Sequence, residues 1–292
     1  LQSKNILLAT GSIPASLSIP GIDLPGVMTS DEILDLEEVP KTLVVVGGGA
    51  VGLEMAAIMA VLGSQVTVLE AREEILLGED QELVAYLERM LKRLKIKLLK
   101  NTTVTSVDSG AEVTLNLSNG GSLKSDLVLV AAGRRPNTEN IGLENVGLDY
   151  IGKFIPVNSQ METEVKNIYA AGDIVGGWLL AHVAFMEGIV AAECAAGLSS
   201  TMDYRVVPRC IFTFPEFAAV GMSEEEAGQH YPSGAYTFPL KSLGMAQALG
   251  EWEGLIKLVV NKENNQILGG HIIGSHASEM AAEIAVAMRN KV

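Results

Sequence analysis

Three glycines in the first quarter of the chain have the spacing that brings backbone N–H groups up to a phosphate. Gly47, Gly49 and Gly52 form a G-x-G-x-x-G pattern within VVVGGGAVGLEMA, residues 44–56. In such a turn the first glycine permits the sharp bend, the second lets the backbone approach a pyrophosphate, and the third brings a helix close to a sheet. The N-terminal end of that helix would face the phosphates. An ordinary strand-to-helix turn can have the same glycines, so the surrounding residues decide between the two interpretations.

An acidic residue follows the glycines at the distance expected of a ribose ligand. Glu70 lies eighteen residues beyond Gly52, at the end of a second strand-like run, where a carboxylate accepts both hydroxyls of an adenosine ribose. Arg72 is close by, but Glu73 and Glu74 keep the local charge negative, so a 2′-phosphate would be repelled. Together these features predict a dinucleotide site that takes NAD rather than NADP.

Positioning these groups requires a strand before the glycines, a helix after them and a second strand that ends at the acid. The apolar periodicity of the sequence predicts all three and continues the alternation. We predict strands at 42–47, 65–70 and 96–99, a helix at 50–62 closed by Gly63, and a helix at 80–95. This β-α-β-α-β order is the half-unit of a doubly wound α/β fold.

Later parts of the chain have the pattern of antiparallel sheets. Three strand-like runs follow around the turns at 108–110 and 118–121, and the last of them is residues 126–137. A helix is expected to end near Gly197, and another to be capped by Ser223 with Glu226 three residues on. From Pro208 we predict short antiparallel strands at 209–214, 217–222, 236–241, 255–261 and 266–274. A last helix is predicted at 277–290.

Charge and composition exclude several classes of partner. The formal net charge is −14, from 21 basic and 35 acidic side chains, which argues against nucleic acid and anionic membranes as partners. The longest apolar runs are too short to span a membrane, and the first residues do not resemble a signal peptide. Because the sequence does not begin with Met, we expect a fragment or a processed piece.

The two cysteines, Cys194 and Cys210, are too few and too far apart for a disulfide framework or a metal site. They predict a reduced cytoplasmic protein with two buried thiols and no metal.

Several stretches together resemble one family. They are ILLATGS (6–12), GGGAVGLE (47–54), LVAAGRRPN (129–137), YAAGDI (169–174), LLAH (179–182) and TFPEFAAVG (213–221). In order and spacing these stretches are similar to those of the flavin-dependent disulfide reductases, and within that family to the dihydrolipoyl dehydrogenase branch.

This resemblance implies a doubly wound NAD-binding domain inserted in a partial FAD domain, followed by an α+β antiparallel-sheet interface domain. The implied boundaries are 1–38 for the end of the first half of the FAD domain and its link, 39–140 for the NAD-binding domain, 141–207 for the second part of the FAD domain, and 208–292 for the interface domain. The resemblance also implies a homodimer and a dithiol or lipoyl-domain substrate.

The resemblance assigns two sets of cofactor-binding residues. Those implied for NAD are Gly47, Gly48, Gly49, Ala50, Val51, Gly52, Glu54 (beside the nicotinamide), Glu70, Val104 (in the adenine pocket) and Gly133. Those implied for FAD are Thr10, Gly11 and Ser12 beside the pyrophosphate, Asp173 on the ribityl or sugar-phosphate part, and Leu179, Leu180, Ala181 and His182 at a helix start beneath the flavin ring. For Glu54, a polar residue on an otherwise apolar helix is the alternative.

The sequence departs from the family pattern where catalysis would occur. The family's redox pair, two cysteines four residues apart, lies upstream of the ATG stretch, and its base histidine lies in a His-x-His-Pro segment downstream; neither is present here. We expect His182, His230, His271 and His276 to be structural or surface residues, and we expect no catalytic residue in this chain.

Three functions remain compatible with the sequence. The first is the NAD-binding, central and interface part of a dihydrolipoyl dehydrogenase-like enzyme. The second is another member of the family, such as a mercuric, glutathione-type or peroxide reductase. The third is a truncated nucleotide-binding or assembly module without turnover.

Overall fold

The computed structural model describes residues 2–292, and within them the backbone forms two compact units. One unit combines the segment ending at Ala15 with Arg134–Arg205, and the other combines Ser16–Gly133 with Val206–Val292.

The strands, in chain order, are β1 Ile6–Leu8, β2 Ser12–Pro14, β3 Val27–Thr29, β4 Thr42–Val46, β5 Gln65–Leu69, β6 Lys97–Leu99, β7 Val104–Ser109, β8 Val113–Leu117, β9 Ser122–Ser125, β10 Leu127–Val130, β11 Arg134–Pro136, β12 Ile168–Ala170, β13 Arg209–Ile211, β14 Glu216–Gly221, β15 Ser233–Pro239, β16 Leu255–Asn261 and β17 Ile267–Gly274. The α-helices are α1 Ala50–Val61, α2 Gln81–Arg93, α3 Ala181–Ala195, α4 Glu224–His230, α5 Gly244–Leu249 and α6 Ala277–Arg289. Short 3-10 turns occur at Glu32–Asp35, Leu143–Val146, Asp173–Val175 and Leu240–Ser242.

The larger unit contains a five-stranded parallel sheet in the order β3-β10-β4-β5-β6. Its strands are apolar because both faces are covered: Leu43 and Val45 of β4 pack towards α1 and α2, and Val44 packs towards the antiparallel strands β7 and β8. The predicted β-α-β-α-β half-unit is present, with α1 between β4 and β5 and α2 between β5 and β6.

The run predicted at 126–137 is not one strand. Asp126 separates β9, in the three-stranded antiparallel sheet β7-β8-β9, from β10, in the parallel sheet. The Asp126 carboxylate accepts both the N–H and the hydroxyl of Thr42, which fixes β10 beside β4. After β10, Gly133 has a φ of +116°, and the chain then enters β11 of the smaller unit.

The end of the larger unit is an antiparallel sheet in the order β13-β14-β17-β16-β15, with α6 packed against it. The five strands predicted after Pro208 are all present. Ser223 caps α4 by accepting the N–H of Glu226, as its spacing predicted. Helix α5 was not predicted.

One apolar core joins the parallel sheet and the five-stranded antiparallel sheet of the larger unit. Leu53 of α1 and Leu87 of α2 belong to the same buried cluster as Phe217 and Ile273 of the antiparallel sheet. This shared core explains why the structure groups the residues of the implied NAD-binding and interface domains in one unit. The structure also differs at the implied boundaries 38/39 and 140/141, since Ser16 to residue 38 lies in the larger unit and Arg134 to residue 140 in the smaller one. The four-domain division remains a prediction.

The smaller unit consists of two short strand pairs and a long helix. β1 pairs in parallel with β12, and β2 pairs with β11 in antiparallel fashion. Helix α3 packs on β12 through a cluster that includes Tyr169 and Val190. Among residues 2–292, no helix has the length and apolarity needed to cross a membrane.

Candidate functional site

The glycine turn between β4 and α1 is closely packed at two of its three glycines. Gly47 has a φ of +121°, and a Cβ there would collide with the carbonyl oxygen of Ala131 at the end of β10. A Cβ on Gly52 would collide with the Gly47 carbonyl oxygen. Only glycine therefore allows β4, β10 and α1 to meet this closely.

The middle glycine, Gly49, faces open space. It is exposed, and a Cβ built on it would meet no atom within 4 Å. Gly49 is also the residue before α1, and no side chain caps this helix end. Ala50 and Val51 in the first turn are exposed as well. An accessible helix N-terminus without a side-chain cap fits the pyrophosphate of a dinucleotide.

The Glu70 carboxylate lies at the end of β5, held by two backbone N–H groups. One oxygen accepts the N–H of Gly48 at 2.8 Å and the other that of Arg72 at 2.8 Å. A Cβ on Gly48 would lie 2.9 Å from a Glu70 oxygen and 2.7 Å from a methyl group of Ile75, so this glycine is needed for the contact. Each carboxylate oxygen can accept a further hydrogen bond, as two ribose hydroxyls would require.

Glu54 of α1 is half-buried and contacts the backbone beyond β13. Its carboxylate accepts the N–H of Phe212 at 2.9 Å. Burial raises the pKa of Glu54, and the bond from Phe212 opposes that shift. The residue thus has a polar partner within the chain, in addition to the implied place beside a nicotinamide.

The two other residues implied for NAD have different surroundings. Val104, in β7, is buried in an apolar cluster with Val44 and Leu69. Gly133 is exposed, and no atom lies within 4 Å of where its Cβ would be.

In the smaller unit, the ATG stretch and the implied FAD acid meet. The Ser12 hydroxyl donates to an Asp173 carboxylate oxygen at 2.6 Å, although 161 residues separate the two. Next to it, the Thr10 hydroxyl donates to the Asn137 carbonyl at 2.6 Å, and Gly11 has a φ of +71°. The structure therefore brings Thr10, Gly11, Ser12 and Asp173 to one place.

Sequence reasoning missed Arg134, which completes this cluster. Its Nε donates to the Ser12 hydroxyl at 2.7 Å, and its Nη2 donates to the Ser12 carbonyl at 2.9 Å. The guanidinium is also 3.9 Å from the Asp173 carboxylate. The signal was present in GRRPN, where a cation follows the glycine of the motif. A partly exposed carboxylate beside an arginine is suited to binding both the hydroxyl and the phosphate groups of a flavin dinucleotide.

Helix α3 begins where a flavin ring was implied. Leu179 has a φ of +49°, an uncommon backbone conformation for a leucine, and Leu180 provides no side-chain cap. Ala181 and His182 in the first turn are exposed. A helix of 15 residues presents a positive end here, which favours negative charge nearby.

Both thiols are only partly buried, which corrects the prediction of two buried cysteines. Cys194 lies in α3, and its thiol donates to the Ser200 carbonyl at 3.3 Å. Cys210 lies in β13, where burial and then the nearby Glu216 raise the pKa of its thiol. Neither cysteine is among the residues assigned to NAD or FAD.

The histidines occupy structural and surface positions. His271 is fully buried, with Nε2 at 2.9 Å from the Met222 carbonyl, and burial lowers its pKa. His276 is exposed near Glu279, and His182 and His230 are exposed. Among residues 2–292, no cluster of histidine, cysteine and acidic side chains could bind a metal ion.

Two family descriptions match the chain. Residues 1–188 match "Pyridine nucleotide-disulphide oxidoreductase", and residues 207–292 match the dimerisation domain of the same family.

Curated relatives and solved structures agree with this match. Dihydrolipoyl dehydrogenase from Chlamydia muridarum is 41% identical, over 100% of this chain and 64% of the relative. The same enzyme from Geobacillus stearothermophilus is 41% identical, over 98% of this chain and 62% of the relative. The chain thus spans less than two thirds of the length of these relatives.

The fold is shared with proteins of known structure. LpdA from Mycobacterium tuberculosis superposes with a TM-score of 0.93 at 31% identity, covering 99% of this chain and 64% of that one. The HOCl-induced flavoprotein disulfide reductase RclA from Escherichia coli gives a TM-score of 0.93 at 28% identity, covering 99% and 68%. Members of this family use FAD and a pyridine nucleotide. The family matches, the relatives and the fold together show that the chain belongs to the pyridine nucleotide-disulphide oxidoreductase family.

Proposed function

We propose that this chain is part of a dihydrolipoyl dehydrogenase-like flavoenzyme that oxidises a dithiol and reduces NAD. The observation that supports it most is the Glu70 carboxylate, held at the end of β5 beside an open glycine turn, because this arrangement favours NAD. The dithiol is inferred from the dihydrolipoyl dehydrogenases that are about 40% identical over the whole chain.

In this proposal the larger unit binds NAD. The first turn of α1 faces the pyrophosphate, Gly49 leaves room for it, and Glu70 accepts the adenosine ribose hydroxyls. Glu54 lies beside the nicotinamide, where its bond from Phe212 fixes its orientation. Val104 lines the adenine pocket. Gly133 packs against NAD.

The smaller unit contributes part of an FAD site. Asp173 accepts hydrogen bonds from the ribityl or sugar-phosphate part, with Ser12 and Arg134 fixing its orientation. Thr10 and Gly11 pass beside the pyrophosphate, and the start of α3, Leu179–His182, lies beneath the flavin ring. When bound, FAD supplies the redox chemistry that links an enzyme disulfide to NAD.

The proposed function also implies a second subunit, a substrate and a cellular compartment. Residues 207–292 match a dimerisation domain, and we propose that the protein is a homodimer through it. Its substrate would be dihydrolipoamide, free or on a lipoyl domain. The two unpaired cysteines favour a reducing compartment, the cytoplasm.

The test uses the protein expressed from the complete reading frame that contains this chain. We expect NADH to form when dihydrolipoamide and NAD are supplied, and only slow reaction with NADP. Mercuric ion, oxidised glutathione and peroxide, each with NADH, are the comparison substrates. Faster turnover with any of these would replace the proposal with another member of the family, and no turnover with all of them would favour a module without catalysis.

A further inference from the structure

A buried carboxylate lies directly behind the Asp173 turn. Glu187, on α3, is only 1% exposed. Its two oxygens accept the Gly172 N–H at 2.7 Å and the Tyr204 hydroxyl at 2.6 Å. Acidic side chains are almost never fully buried without such donors, because the charged form is then left without partners in an apolar environment. The proposed NAD and FAD contacts do not use Glu187, so its burial needs another explanation.

Gly172 is the residue through which Glu187 reaches the proposed flavin site. It joins β12 to the 3-10 turn Asp173–Val175 and has a φ of +80°. A Cβ on Gly172 would lie 3.3 Å from the Ala184 side chain, so the turn is close to α3. On the strand side, the Ala171 N–H donates to the Leu8 carbonyl. The two residues before Asp173 are therefore both held, Ala171 by strand pairing and Gly172 by Glu187.

The position of this turn determines whether Asp173 can reach Ser12. Their 2.6 Å hydrogen bond would be lost if the turn moved by about 1 Å, because such bonds weaken steeply beyond about 3.2 Å. The two carboxylates also repel each other. Burial is the larger reason that the pKa of Glu187 is raised, and the charge of Asp173 adds to it.

We propose that Glu187, oriented by the Tyr204 hydroxyl, is a positioning residue for the flavin site: it holds the Gly172–Asp173 turn so that the Asp173 carboxylate faces the ribityl and phosphate part of FAD. This inference rests on the proposed function, since Asp173 binds flavin only if the chain belongs to a flavoenzyme of that kind.

Four variants separate positioning from simple structural support. Glu187→Ala removes both hydrogen bonds. Glu187→Gln keeps an oxygen for the Gly172 N–H, and its amide can donate to the Tyr204 oxygen, so it is the rescuing variant. Tyr204→Phe removes only the second bond. Val190→Ala, at a buried position one turn along α3, is the control for loss of packing.

The first measurement is made on this chain without flavin. Hydrogen exchange of the Gly172 amide, followed by NMR, reports the bond to Glu187 directly. We expect Glu187→Ala to accelerate this exchange about tenfold more than Val190→Ala does, because a buried acceptor is lost. We expect Glu187→Gln to exchange close to the wild-type rate. Equal exchange in Glu187→Ala and wild type would overturn the proposal.

The second measurement uses the protein from the complete reading frame, loaded with FAD. We expect Glu187→Ala to raise the FAD dissociation constant about tenfold, to shift the visible circular dichroism of the flavin, and to leave NADH affinity unchanged. Glu187→Gln should restore both flavin readouts, and Tyr204→Phe should give a smaller change. If wild type binds FAD and Glu187→Ala binds it equally well, or no more weakly than Val190→Ala, this inference fails alone. If wild type binds no FAD, the proposed function fails and the inference fails with it.

Discussion

The two oxygens of Glu70 accept N–H groups from Gly48 and Arg72, so the carboxylate is already in position before a nucleotide binds. Two ribose hydroxyls can bind to it without reorganisation of the side chain. A phosphate on the 2′ position would instead meet a fixed negative charge.

For Glu70→Ala we therefore expect the preference for NADH over NADPH to narrow by about 1–3 kcal/mol, the contribution of a hydrogen bond to a charged group. Titration calorimetry with both nucleotides measures this difference. Glu263→Ala, which removes an exposed charge just after β16 and outside the proposed site, is the control and should leave the preference nearly unchanged. Equal affinities of the wild-type chain for NADH and NADPH would contradict the assignment of Glu70.

A substitution at Gly49 should affect nucleotide binding without affecting the stability of the fold. Its φ of −81° suits any residue, and a Cβ would meet no protein atom within 4 Å. We expect Gly49→Ala to keep the thermal midpoint of the chain and to weaken NADH binding at least about tenfold, because the methyl group would occupy the space of the pyrophosphate. Thermal unfolding and NADH titration of the same samples check this. Gly244→Ala, also in open space, should change neither, and full NADH affinity in Gly49→Ala would contradict the proposed site.

Single residues were predictable where their partners are close in sequence. The glycines and Glu70 follow from one strand-helix-strand pattern of fewer than thirty residues. Ser12 and Asp173, 161 residues apart, were assigned only through the family resemblance, and Arg134, which contacts Ser12 from 122 residues away, was missed because the resemblance gave it no role. Glu187 was missed because its partners lie 15 and 17 residues away on segments with no regular periodicity.

At the scale of elements, one buried lysine joins the first turns of α2 and α4 to β16. The Lys257 ammonium is 2.6 Å from Glu224, 3.0 Å from Asp80 and 3.2 Å from Glu82. Its side chain is only 5% exposed, and that of Asp80 only 3%. Burial would by itself lower the pKa of Lys257, but the hydrogen bonds that its ammonium donates to Glu224 and Asp80 outweigh it and raise the pKa.

We expect Lys257→Met to destabilise the chain by about 3 kcal/mol, since it leaves the buried Asp80 carboxylate without its cation while keeping the side-chain volume. Urea unfolding at neutral pH measures the change. Arg93→Ala, which removes an exposed pair with Glu253, is the control and should cost less than about 1 kcal/mol. Equal stability of Lys257→Met and wild type would show that the three carboxylates do not depend on this lysine.

Most elements could be predicted from apolar periodicity, and the two exceptions have different causes. The helices α1, α2 and α6 and the strand β16 match their predicted bounds within about two residues. The boundary between β9 and β10 was missed because a contact from Asp126 to Thr42, 84 residues away, places the two strands in different sheets. Helix α5 was missed because it is six residues long and has no buried residues.

At the scale of the whole molecule, the residues of this chain provide only part of the proposed FAD site. The residues assigned to FAD form one cluster around Asp173 and one helix start. We expect the 292-residue chain to be colourless after purification, because the remaining flavin contacts would come from sequence that is not among these residues. An absorption spectrum checks this. Recovery of a yellow protein with stoichiometric FAD would mean that these residues alone provide the affinity.

Catalysis by the 292-residue chain is expected to be absent. Oxidation of a dithiol needs a disulfide that exchanges with it, a flavin and a base. Cys194 lies in α3 and Cys210 in β13, and burial raises the pKa of the Cys210 thiol, which lowers its reactivity. We therefore expect no lipoamide-dependent NADH oxidation, even with excess FAD, in a spectrophotometric assay. Turnover that Cys194→Ser or Cys210→Ser abolished would require a redox centre of another design.

The order of strands in the parallel sheet has a consequence for how the chain is made. β10 lies between β3 and β4, and its Val128 is in register with Val27. On a ribosome, β3 therefore emerges about a hundred residues before the strand with which it pairs. β4, β5 and β6 can associate much earlier, which leaves the valine-rich edge of β4 open until β10 arrives. A nascent chain stalled in this interval would present an unpaired apolar edge, the kind of surface that chaperones bind and that otherwise aggregates.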